Sequence, residues 1–163
     1  MRKIDNIVIH CSDSSFGDVR LIDKWHKQRG WKSCGYSYVI LNGKRCNSIQ
    51  YDRYDDGLLE NGRELNNDVF MQFDEIGAHA YGFNQNSIGV CLIGKDKFTV
   101  KQFETLINLI QYWKSMIPGI KVFGHYDLNN KKTCPNFNID DLQKLLESVN
   151  IKTKIENYMK DYL

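Results

Sequence analysis

A single α/β domain, with a mixed central β-sheet flanked by helices, is the architecture this sequence predicts, and three observations carry it. Residues 87–93 (SIGVCLI) are a nearly continuous apolar run, as expected of a strand buried on both faces at the centre of a sheet. Two further β-branched runs, residues 4–9 and 120–123, each lead into a histidine within one or two positions. Three stretches with apolar residues three and four apart each follow a capping side chain, at Asp18, Thr99 and Asn138. Strands that alternate with amphipathic helices are read as a sheet with helices against its faces.

Size and charge narrow the function. The chain has 163 residues, long enough for one compact core and short for two. Its 22 basic and 20 acidic residues leave a formal charge of +2, too little to hold nucleic acid by neutralising phosphates. No apolar run approaches the ~20 residues that span a bilayer, and the first residues lack the apolar centre of a secretory signal. The expectation is a protein made in the cytoplasm without a signal peptide, acting as a monomer. Five cysteines, at positions 11, 34, 46, 91 and 134, are odd in number and irregular in spacing, so they imply no disulfide framework.

Taken in order, residues 4–9 form the first strand, and His10 closes it. Asp18 caps a helix through Val19, Ile22, Trp25 and His26 that stops at Gly30. His26 lies on the half-apolar face of that helix and reads as packed and hydrogen-bonded. Residues 35–41 make an aromatic strand, and the Asn42-Gly43 pair predicts a hairpin of type I′ returning through residues 44–50. In a regular strand Tyr36 and Tyr38 share one face, and either could reach a cleft. Residues 51–76 are polar, with apolar matter for short elements only at Leu58-Leu59 and in residues 69–73; such a stretch suits a binding rim. Residues 77–86, small, aromatic and amide-rich, form a loop that lets a ligand approach its backbone, with His79 open to metal, substrate or turn roles. Thr99 caps the largest helix, through Phe103, Leu106, Ile107, Ile110, Trp113 and Met116, ending before Pro118-Gly119. A helix from Asn138 through Val149 follows, and residues 151–163 form an amphipathic tail that packs on the domain of residues 1–150.

Chemistry concentrates in residues 124–135 (GHYDLNNKKTCP), which set an imidazole, an ammonium and a thiol at one end of a strand. His125 and Cys134, across a polar loop that can fold both side chains toward one point, are two candidate metal ligands. A catalytic zinc takes three protein ligands and keeps a fourth position open, and His10, at the end of its own strand, is the candidate third. Open α/β sheets keep their crevices at such strand ends. Asp127 is a candidate for loop capping or for supporting a ligand. The remaining cysteines read as small core residues, and Cys11 points opposite His10. Asp55-Asp56 lies in a polar loop and Asp140-Asp141 in a helix's first turn, so neither resembles carboxylates flanking a glycosidic bond.

Several segments, in this order, resemble the type 2 N-acetylmuramoyl-L-alanine amidases, which include bacteriophage lysozymes of the amidase kind and share their fold with peptidoglycan-recognition proteins. The segments are Val8-Ile9-His10-Cys11-Ser12, Trp25-His26-Lys27 with Gly30-Trp31, Gly35-Tyr36, Gly77-Ala78-His79-Ala80, residues 86–92, Gly124-His125 and Lys132-Thr133-Cys134-Pro135. Together they span roughly residues 4–142. The resemblance implies one Zn²⁺ per chain held by His10, His125 and Cys134, catalytic assistance from Tyr36 and Lys132, and His79 at the substrate groove. It implies hydrolysis of the amide between N-acetylmuramic acid and L-alanine in peptidoglycan, by a phage or prophage endolysin or by a wall-recycling enzyme. The alternative is a non-catalytic peptidoglycan-binding or regulatory protein on the same fold. Some relatives carry aspartate in place of Cys134 or glutamate in place of Tyr36; this chain is of the cysteine and tyrosine type. Residues 51–76 run longer than in the shortest members, and the tail after Val149 has no counterpart.

Overall fold

The computed structural model describes residues 2–147. Its strands are β1 (Arg2–Lys3), β2 (Asn6–Cys11), β3 (Tyr38–Asn42), β4 (Asp56–Asn61), β5 (Phe70–Met71), β6 (Ser87–Leu92) and β7 (Lys121–Gly124). Its helices are α1 (Val19–Gln28), α2 (Val100–Met116), the single turn α3 (His125–Leu128) and α4 (Ile139–Leu146). The main sheet runs in the order β4-β3-β6-β2-β7, and β1 pairs with β5 in a separate two-stranded ribbon. β6 is central, as its unbroken apolar run requires, and every residue of β6 and β2 is buried. The pairs β3 with β6, β6 with β2 and β2 with β7 are parallel, and β4 is antiparallel on the edge, so the sheet is mixed.

The helices begin where the caps place them. Asp18 accepts from the Leu21 amide at 2.8 Å, Thr99 and Gln102 close a reciprocal capping box, and Asn138 accepts from Asp140 and Asp141. One sheet face carries the larger core: Ile7 and Ile9 of β2, Tyr38 and Ile40 of β3 and Val90 of β6 meet Phe103, Leu106, Ile110 and Trp113 of α2 and Leu142 of α4. The other face carries a smaller core, in which Ile22 of α1 packs with Val39, Leu41, Cys91 and Ile93. Gln102, fully buried, donates to the carbonyls of Ile40 and Ile93 and so ties α2 to the sheet.

Three expectations change. The chain does not return through residues 44–50: β3 pairs instead with β4, and the intervening segment is a loop. Gly43 has a positive φ of 81°, but Asn42 ends β3 without one, so a type I′ turn does not form. Arg45 decides the outcome. Its guanidinium bonds Asp55 through two nitrogens and also reaches Glu60 and Asp18, which pins the loop across the end of β4 and the cap of α1. Second, Tyr36 and Tyr38 lie on opposite faces, Tyr36 with the α1 core and Tyr38 with the α2 core. Tyr36 precedes β3, where the chain bends to receive the amides of Ala78 on Gly35 and Arg63 on Tyr36, so strand alternation does not reach it. Third, β2 runs on through Cys11, so His10 is inside the strand. Leu58-Leu59 falls in β4 and Phe70–Met71 forms β5, matching the short elements expected there. The end of the last helix at Val149 and the tail 151–163 lie outside the described residues. Among the described residues, no helix is long and apolar enough to cross a membrane.

Candidate metal centre

The register of two parallel strands creates the site. Ile9 of β2 pairs with Gly124 of β7, so the residues that follow, His10 and His125, emerge side by side with ring centroids 4.6 Å apart. His10 is still in the strand, whereas His125 opens α3. The Gly124 amide donates to Asp127 at 2.7 Å, so Asp127 acts as a loop cap that holds this turn. The loop that follows brings Cys134 back. The Tyr126 amide donates to the Cys134 carbonyl, and the Tyr126 hydroxyl accepts from the Ile139 amide at the start of α4. The Cys11 amide donates to Cys134 Sγ at 3.0 Å, which aims the sulfur at the two rings.

One ligand atom from each of His10, His125 and Cys134 lies within 4.8 Å of the others. Tetrahedral zinc with bonds of about 2.0–2.3 Å spaces its ligand atoms about 3.3–3.8 Å apart, so a small contraction would close the three onto an ion. The protonation states suit the purpose. Burial holds His10 well below the ordinary imidazole range, with the neighbouring His79 and His125 adding to it, and burial followed by the Lys132 charge lowers His125. Both rings are therefore neutral and can offer a lone pair. The adjacent Cys11 thiol and burial push the Cys134 thiol up, so a metal must displace its proton on binding. Two neutral imidazoles and a thiolate are a borderline-soft donor set of the kind zinc takes.

The other predicted residues line the same cavity, of about 500 Å³. Tyr36 stands with its ring 5.1 Å from that of His10, and burial raises its phenol well above the ordinary range, so it keeps its hydrogen. Lys132 is exposed at the mouth, where Arg29, Lys95 and Lys131 also face the opening and Asp13 is the acid that lines it. His79 is buried in the wall, held by Asn84, whose side-chain oxygen accepts from the amides of His79 and Ala80. The cavity lies over the α1 face of the sheet, beside the C-terminal end of α1, and not only at the strand ends.

Some contributors were not visible beforehand. His26 is buried and packed, as expected, and its Nδ1 accepts from the Gly35 amide at 2.9 Å. It also lines the cavity, its ring 4.4 Å from Trp31 and 5.3 Å from Tyr36, and burial lowers it to about 4, which keeps that acceptor free of a proton. Its i, i+4 spacing from buried Ile22 was the available signal. Cys11 packs its side chain in the α2 core but contributes its amide to the site, a role no side-chain pattern reveals. Asn136 reaches back to the Cys11 sulfur and the Lys95 carbonyl.

A mixed sheet that brings a strand histidine, a helix-opening histidine and a loop thiol to one cavity has the donor set of a metal-dependent hydrolase. The N-acetylmuramoyl-L-alanine amidase family profile matches residues 1–137, and the chain belongs to that family. The endolysin of Escherichia phage T7 is 35% identical over 148 residues, covering 83% of this chain and 82% of its own length. The endolysin of Enterobacteria phage T3 is 36% identical over 146 residues, covering 82% and 81%. The amidase LysC from Clostridium intestinale URNW shares the fold, with a TM-score of 0.70 at 24% identity over 89% of this chain and 86% of its own.

The tight seating of Tyr36 generates a prediction. A Cβ at Gly35 would stand 2.4 Å from the Ala78 carbonyl oxygen and 2.9 Å from the Trp31 ring. Gly35→Ala is expected to destabilise the fold by ~1–3 kcal/mol, as overpacking against backbone does, and urea denaturation measures it.

Proposed function

We propose that this amidase is a zinc-dependent endolysin that hydrolyses the amide joining the lactyl group of N-acetylmuramic acid to L-alanine in bacterial peptidoglycan. The observation that carries the reading is the convergence of His10, His125 and Cys134 on the cavity that also holds Tyr36 and Lys132. The phage endolysins T7 and T3, similar over four-fifths of the chain, support the endolysin part.

Zinc held by the three residues supplies Lewis acidity to the cavity. The chain's own groups do the rest. As water adds to the amide carbon, negative charge grows on the carbonyl oxygen, and the Lys132 ammonium at the mouth is the mobile cation that can meet it. The C–N bond breaks as the leaving alanine nitrogen gains the proton that the attacking water gives up, and it departs as an amine. The Tyr36 phenol, kept in its O–H form by burial, can donate a hydrogen bond either to that nitrogen or to the oxygen. A protein that only bound peptidoglycan would need neither the thiol nor these two groups arranged together.

Digestion of purified peptidoglycan tests the reaction: new L-alanine amino termini should appear while glycan chains keep their length. Reducing sugar ends without new alanine amines would mean a different bond is cut. Metal analysis after dialysis should find one zinc per wild-type chain and a large loss in Cys134→Ser, since a hydroxyl is a much poorer ligand than a thiolate. Full occupancy with unchanged activity in that variant would remove Cys134 from the site. Lys132→Ala should keep its zinc and lose ~10²–10³-fold in turnover, the usual effect of deleting one donor to a developing oxyanion; wild-type turnover on peptidoglycan would make the lysine a bystander.

A further inference from the structure

We infer that His79 is a positioning residue that locks the His10 ring in the tautomer presenting Nδ1 to the metal; the inference rests on the zinc reading above. His10 Nε2 lies 3.1 Å from His79 Nδ1, in a buried contact with the rings nearly perpendicular at 84°. The far side of His79 is also engaged. Its Nε2 faces the Ser87 carbonyl and the Ser87 hydroxyl, both at 3.4 Å, and that hydroxyl donates to the Phe83 carbonyl at 2.7 Å.

The distances order the protons: the Ser87 hydroxyl is 2.7 Å from the Phe83 carbonyl and 3.4 Å from His79 Nε2, so its hydrogen goes to the nearer acceptor. The Phe83 carbonyl can only accept, so the Ser87 hydroxyl donates to it and offers a lone pair toward His79. The Ser87 carbonyl likewise only accepts. His79 therefore carries its hydrogen on Nε2, which leaves Nδ1 as an acceptor. His10 must then carry its hydrogen on Nε2 and donate it to His79, and the lone pair of His10 is left on Nδ1. A hydrogen bond to the second nitrogen of a ligating histidine fixes both the tautomer and the ring's rotation. Here the acceptor is a second imidazole anchored to main chain, in place of the carboxylate or backbone carbonyl that commonly serves.

The sheet is cut to fit this ring. A Cβ on Gly89 would stand 2.6 Å from Cγ and Cδ2 of His79, and one on Gly77 would stand 2.7 Å from Cδ2. Gly89 lies in β6 opposite Val8 of β2, two positions before Cys91, which pairs with His10. The missing side chain lets His79 lie flat on the central strand and reach His10 from the sheet itself. Gly89 thus acts on the metal site through His79 without touching a ligand.

The test measures zinc affinity on the whole chain by competition with a chromophoric chelator, with His10→Ala as the ligand-deletion control. His79→Leu and His79→Asn are close in size, but only asparagine keeps an acceptor at the place of Nδ1. His79→Leu should bind zinc ~10–100-fold more weakly than wild type, the usual effect of losing such a partner. His79→Asn should recover much of that loss, and Gly89→Ala should weaken binding in the same direction as His79→Leu. Imidazole nitrogen NMR of the wild-type zinc form should find His10 protonated at Nε2. Equal zinc affinity in the leucine and asparagine variants, or His10 protonated at Nδ1, overturns the inference and leaves the metal site standing. Wild-type chain without zinc, or full zinc on His10→Ala, overturns the metal reading instead. Should His79→Leu fail to fold, the wild-type tautomer decides alone.

Discussion

The structure depends on the parallel pairing of β2 between β6 and β7. That register fixes how far each strand extends, and with it the distance between the two histidine rings. β2 and β6 are buried along their whole lengths, so a slip of one residue would turn His10 into the α2 core and Ile9 toward the cavity. The apolar residues on the α2 face make such a slip costly. In this sense the large core of Phe103, Leu106, Ile110 and Trp113, on the opposite face, positions the candidate ligands.

The two faces of the sheet divide the labour. α2 and α4 cover one face with well-packed aliphatic and aromatic side chains. The other face is covered by α1 only in part, and the uncovered part is where His79 and the histidine pair stand, with Tyr36 between them and the α1 core. Polar groups there are held by one another and by main chain: His26 by the Gly35 amide, His79 by Ser87, and Cys134 by the Cys11 amide. Such partners cost little entropy at the moment of catalysis because they are already fixed when the chain has folded.

Much of this was legible in the sequence, for identifiable reasons. The central strand declared itself by an unbroken apolar run, and α2 by spacing and capping, because those signals are local and the tertiary structure agrees with them. His10 and His125 stood out because each follows a strand-forming run. The hairpin was misread because Asn42-Gly43 satisfies a local turn rule, while the outcome is set by Arg45 drawing in carboxylates 10, 15 and 27 residues away. Tyr36 could not be told from Tyr38 by strand alternation, since the strand starts after it. The contact between His79 and His10 spans 69 residues and depends on a side chain that Gly89 lacks, and no periodicity carries such information.

The mouth of the cavity has a consequence of its own. The whole chain is nearly neutral at +2, yet Arg29, Lys95, Lys131 and Lys132 gather at one opening against Asp13, whose carboxylate already pairs with Lys95. Charge that is almost balanced over the molecule is thus unbalanced where a ligand enters, and the field there reaches about one Debye length, roughly 8–10 Å at ordinary ionic strength. An anionic ligand would be drawn to that side first. Any orientation that this charge gave an incoming ligand would fade as salt is added, while the buried geometry stayed as it was.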